Sequence, residues 1–144
     1  MKRTFLTISC IAALALSARA EPPSVATPVA EPADAQSIVT RELVAPWRAR
    51  QRSFSRTRRP PAEMRVRILD TAARHDAQGQ AFFWFEVDSR RAGKAWRAGM
   101  MKGCVYPSSS TVYVQEGDAL REVKTMLDDE ERPVPATACK ESAP

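Results

Sequence analysis

Ala81-Phe82-Phe83-Trp84-Phe85-Glu86-Val87-Asp88-Ser89 is the stretch that decides the fold. Phe83, Phe85 and Val87 recur at every second position, the period of a strand with one buried face. Upstream, Met64 to Asp70 alternates in the same way, with Met64, Val66 and Ile68 set against Arg65 and Arg67. Asp76-Ala77-Gln78-Gly79 between them is rich in turn formers, so the two strands read as an antiparallel hairpin. Closing it over those four residues places Val66, Ile68 and Ala72 on the face of Phe83, Phe85 and Val87. It also sets Arg67 opposite Asp88 on the other face. A slip of one residue would instead turn Asp88 toward the core, so the pattern fixes the parity of the pairing.

A second hairpin is expected downstream. Gly99–Tyr106 and Thr111–Gln115 flank Pro107-Ser108-Ser109-Ser110, and the simplest register sets Val105 against Val112. Gly99 and Gly103 weaken the first of these strands and mark a bulge or a close backbone approach. Residues 118–127 are ambiguous. Ala119, Leu120, Val123, Met126 and Leu127 trace a helical stripe behind Asp118, although the acidic run Asp128–Glu131 would oppose the helix dipole. A strand with Arg121, Val123, Thr125 and Leu127 on one face is the alternative to that helix.

Before the first hairpin, a helix opens near Asp34, with Val39, Leu43, Trp47 and Phe54 at close to helical spacing. Pro46 interrupts it, which predicts a kink or a restart, and Pro60-Pro61 ends it. The expected architecture is therefore α+β. An N-terminal amphipathic helix packs on an antiparallel sheet of about four strands in two hairpins, held by one disulfide.

Lys2 and Arg3, the apolar run Phe5–Ala18 and Ala18-Arg19-Ala20 make residues 1–20 a cleavable signal peptide, with cleavage between Ala20 and Glu21. Residues 21–33 carry four prolines and no apolar period, and read as a Pro/Ala-rich disordered linker. Residues 34–140 form one small domain and 141–144 a disordered tail. Cys10 leaves with the signal, so Cys104 and Cys139 are left to pair in an oxidising compartment, periplasmic or extracellular. No transmembrane segment remains in the mature chain.

Loss of Lys2, Arg3 and Arg19 takes the formal net charge from +5 to +2, so nucleic acid is not an expected partner. The charge is segregated, however. Residues 41–74 hold ten arginines against Glu42, Glu63 and Asp70, while residues 116–144 hold eight acids against four bases. Arg48, Arg50, Arg52, Arg56, Arg58 and Arg59 surround the apolar positions of the helix and are the candidate anion-binding set. Trp84 and Trp96 are the candidate aromatic contacts.

A catalytic constellation is not visible. His75 is the one histidine and stands at a turn, and Ser108, Ser109 and Ser110 lie in a hairpin loop without a nucleophile-elbow context. Glu86, Asp88 and Asp70 could act as paired carboxylates, but an arginine opposite Asp88 favours a structural ion pair. No phosphate loop, dinucleotide fingerprint or metal-ligand cluster occurs, so neither cofactor nor metal is expected. The leading expectation is an exported, non-enzymatic binding or accessory domain for a protein or envelope component. The alternative is a binder of anionic envelope lipid or polymer through the arginine-rich helix, and the third reading is a small secreted hydrolase.

Overall fold

The structure is a computed structural model that describes residues 28–54, 62–128 and 132–142. The expected signal peptide, most of the linker and Arg56, Arg58 and Arg59 lie outside the described residues. The fold is α+β: a helical rod packs on one face of an antiparallel sheet, and an irregular C-terminal segment covers part of the other.

The rod runs as α1 (Pro32–Val39), a π-helical turn (Thr40–Val44) and α2 (Ala45–Phe54). It begins at Pro32 and not at the chain's N-terminus, which corrects that part of the expectation. Pro46 explains the wide turn. It has no N–H, and its ring crowds the carbonyl four residues back, so the turn before it opens and the Ala45 N–H reaches the Thr40 carbonyl. Ala35, Ile38, Val39, Leu43 and Val44 form the buried face.

The sheet has six strands, not about four: β1 (Glu63–Ile68), β2 (Arg74–His75), β3 (Ala81–Arg90), β4 (Arg97–Tyr106), β5 (Thr111–Glu116) and β6 (Ala119–Glu122). The order is β1-β3-β4-β5-β6, with β2 also paired to β3. The two additional strands are short, two and four residues, and exist because a longer neighbour offers its edge. Residues 118–127 are thus split, since α3 (Val123–Asp128) follows directly on β6.

The first pairing keeps the expected parity but not the expected register. Arg67 stands opposite Glu86, and Arg65 takes the place opposite Asp88. The cause lies between β1 and β2. There the Asp70 carboxylate accepts the Trp84 N–H at 2.7 Å and Arg74 Nε at 2.7 Å, pulling the chain out of the ladder. The turn itself forms as read. Asp76 Oδ1 accepts the Gln78 and Gln80 N–H groups, and Gly79 takes the positive φ of 76°. Ala72 is exposed, and Ala73 packs on the core in its place. The second hairpin has the expected register, Val105 against Val112.

β3 is buried on both faces. Phe83, Phe85 and Val87 meet the rod together with Val66, Val105 and Val112. Phe82 and half-buried Trp84 meet Tyr106, Tyr113, Ala138 and the Cys104–Cys139 disulfide on the other side. Among the described residues, no helix is long and apolar enough to cross a membrane.

Candidate functional site

Trp47 and Gln51 lie one turn apart on α2, and therefore project from the same side of the rod. Together they form one wall of a cleft of about 620 Å³ whose other wall is the loop joining β3 to β4. That loop and the strand ends beside it supply Arg90, Arg91, Lys94 and Arg97, and no acidic side chain lines the cleft among the described residues.

The loop is shaped by two local devices. Gly93 adopts a φ of 71°, and the Lys94 N–H bonds the Arg91 carbonyl at 3.0 Å, which closes the tip. Below it the ladder is bulged: Val87 pairs with Met101 but Ser89 pairs with Arg97, so residues 98–100 face Asp88 alone. Gly99 sits in this bulge at a φ of 64° and donates its N–H to Asp88 Oδ1 at 3.1 Å. The bulge residues Ala98, Gly99 and Met100 line the cleft.

Asp88 holds this geometry. Its side chain is 1 % exposed, and its Oδ2 accepts Arg65 Nε at 3.0 Å, with Arg67 Nε at 3.7 Å. Burial opposes the carboxylate's charge. The Gly99 N–H and the two guanidiniums outweigh that penalty, so its pKa falls below the ordinary value. Because the folded value is the lower one, the charged group supports the fold above about pH 3.9 and loses that contribution as pH falls through the lowered value. Asp88→Asn is therefore expected to lose about 1–3 kcal/mol at neutral pH. Its unfolding free energy should also fall less steeply below about pH 4 than the parent's. Denaturant melts from pH 2 to 7 check both; parallel curves would remove Asp88 from this role.

The four cations are not equivalent. Arg90 is engaged, with Nε 2.7 Å from Glu63 and its guanidinium over the Trp96 ring at 4.7 Å. Arg65 also covers Trp96, at 4.4 Å, so the indole is a support for two guanidiniums. Arg91, Lys94 and Arg97 are exposed and form no ion pair among the described residues. Three positive charges without an ion pair among the described residues thus line one cleft with a half-buried tryptophan and a primary amide.

The arginines singled out on the helix occupy other places. Arg48 is half-buried, and its Nε has no hydrogen-bond partner among the described residues. Arg50 reaches the Met126 carbonyl at 3.4 Å, tying α2 to α3, and Arg52 is exposed. None of these three lines the cleft. Trp84 stands toward the other end of β3, packed near Phe82, so the structure does not bring the two candidate tryptophans together.

His75, Ser108 and Ser110 border one concavity, yet no hydrogen bond joins the imidazole to either serine among the described residues, and Arg41 donates to Ser110 Oγ. Glu86 is bridged by Arg67 and Lys102, Asp88 by Arg65, and Asp70 by Arg74, so all three carboxylates are engaged in ion pairs. No group of three or more metal-ligating side chains occurs among the described residues.

Sequence reasoning missed Trp47 and Gln51 as partners of the hairpin loop. It also passed over the cations themselves, although Arg90-Arg91, Lys94 and Arg97 around Gly93 form a readable signal of a basic, sharply turned loop. Compared with known proteins, the chain matches no family model, no curated protein and no solved structure.

Proposed function

We propose that this chain is an exported, non-enzymatic binding domain that takes an anionic partner into the cleft between α2 and the β3–β4 loop. The observation that carries this reading is the set Arg91, Lys94 and Arg97, exposed, without ion pairs among the described residues, on the wall of a concavity that no described carboxylate lines. Unpaired cations cost little while hydrated, and they gain charge-assisted bonds when an oxyanion enters. Two arginines among three cations suit carboxylate or phosphate, which the planar guanidinium grips with two parallel bonds. Export is supported by the signal-like residues 1–20, and a domain pinned by a disulfide is compatible with it. Anionic lipid and polymer of the cell envelope are accessible partners there.

Binding of polyphosphate and polygalacturonate, followed by calorimetry over a salt series, tests the reading. Affinity should fall as salt rises. Changing Arg91, Lys94 and Arg97 together to glutamine should reduce it roughly 100-fold at low salt, about 1 kcal/mol for each lost contact. Arg48→Gln with Arg52→Gln should stay within about twofold, because neither side chain lines the cleft. Equal losses in the two variants would return the site to the helix arginines, and no binding by the parent would remove the anion site altogether.

A further inference from the structure

The cleft has a second wall that a bare oxyanion would not use. Trp47 is half-buried and lies outside the apolar cluster formed by Val39, Leu43, Val44 and the sheet. Its indole therefore stands at the cleft instead of completing the core. Gln51, one turn on, adds an amide that both donates and accepts. Met100, 38 % exposed, extends the apolar surface at the rim.

These groups define a ligand by its parts. An indole offers a broad apolar face, against which the C–H face of a pyranose ring can pack. Ring hydroxyls need partners that donate and accept, which an amide supplies. A carboxylate or phosphate on the ring matches the cation wall. The volume of about 620 Å³ lies within the roughly 300–1,000 Å³ of small-ligand clefts, enough for a sugar unit and its substituents. A flat anionic bilayer would address exposed cations on a convex surface and leave Trp47 unused. A flexible polyphosphate would likewise need only the cations.

Resting on the reading of the cleft as an anion site, we infer that its ligand is an acidic saccharide of an envelope polymer. The sugar ring packs on Trp47, its hydroxyls bond Gln51, and its acid group is held by Arg91, Lys94 and Arg97. The stacked ring supplies selectivity among anions, and the cations supply the attraction that brings them in.

The test compares four probes on the oxidised chain: oligogalacturonate, a neutral malto-oligosaccharide of equal length, polyphosphate, and phosphatidylglycerol vesicles. Oligogalacturonate should bind at least tenfold more tightly than the neutral sugar, and its ring protons should receive saturation transfer from aromatic protein signals. Trp47→Ala should weaken oligogalacturonate at least tenfold while polyphosphate changes less than twofold, and Trp47→Phe should restore most of the loss. Should Trp47→Ala fail to fold by circular dichroism, Trp47→Phe and Gln51→Ala carry the comparison, with a threefold or larger loss expected for Gln51→Ala on the saccharide alone. Oligogalacturonate and polyphosphate binding alike, both indifferent to Trp47 and Gln51, would overturn the saccharide while leaving the anion site in place. Vesicle binding without saccharide binding would also overturn it and point to lipid. Failure of every anionic probe would remove the anion site and the saccharide together.

Discussion

Replacing Cys104 and Cys139 by serine should lower the unfolding free energy by about 3–4 kcal/mol, a large share of the roughly 5–15 kcal/mol typical of a small domain. The bridge joins residues 35 apart, and without it the unfolded chain regains the freedom of that loop. The loss should extend beyond chain entropy, because the disulfide anchors a polar clasp. Tyr106, on the same strand as Cys104, donates its phenol to Asp76 Oδ2 at 3.0 Å and accepts the Cys139 N–H at 2.8 Å. Burial, with the Asp76 charge adding to it, pushes the Tyr106 pKa up to about 12, so the phenol remains a donor at physiological pH. Ser142 continues the clasp with bonds to the Asp76 and His75 carbonyls, and Glu141 beside it bridges to Asp76 and pairs with Arg74, so the chain is held through Ser142. Hydrogen exchange in the double variant should show the amides at positions 139, 140 and 142 losing protection before those of β3. A change below about 1 kcal/mol in a denaturant melt would show that the C-terminal segment is held without its covalent link.

Gly103→Ala is expected to be at least as damaging, at more than about 3 kcal/mol or as failure to accumulate folded protein. A Cβ at this position would overlap the Tyr113 carbonyl oxygen on β5, and it would come within 2.9 Å of Phe85 Cζ on β3. Both obstacles belong to the middle of the sheet, where β4 is paired on its two sides. Relief would require β4 and β5 to separate, at the cost of ladder bonds and of packing around Val105 and Val112. Alanine would also gain the usual entropic advantage over glycine, about 0.5–1 kcal/mol, which is too small to offset the overlap. Chemical denaturation of the variant measures the effect. A near-neutral result would mean that the two central strands can part by about 1 Å without penalty.

The alternation of Phe83, Phe85 and Val87 was enough to place the buried face of β3, because period two survives whatever the strand packs against. The register of β4 with β5 was equally legible, since only the short Pro107–Ser110 turn separates Val105 from Val112. The register of β1 was not. Its turn chemistry at Asp76–Gly79 is local and was readable, but the detour at Asp70 depends on a bond to the Trp84 backbone that no local pattern announces. Residues 118–127 left helix and strand open for a similar reason: Ala119–Glu122 pairs as a strand because β5 presents an open edge, and the helix starts only beyond it. Pro46 announced an interruption, and the tertiary structure chose a π turn that keeps one rod continuous, with Leu43 and Val44 still buried against the sheet.

The cleft shows the same division. The cation-rich loop around Gly93 could be read from the chain, whereas its opposition to Trp47 and Gln51 joins segments about 40 residues apart and appears only once the rod lies across the sheet. Sequence by itself determined the alternating faces, the pairing of the two cysteines and the places where the chain must turn, because those depend on covalent order and on side-chain period. Tertiary structure alone decided the register of the first strand, the two extra strands and which charges stay unpaired. Those depend on free energies of contacts between distant segments, where an open edge or an opposing carboxylate outweighs local preference.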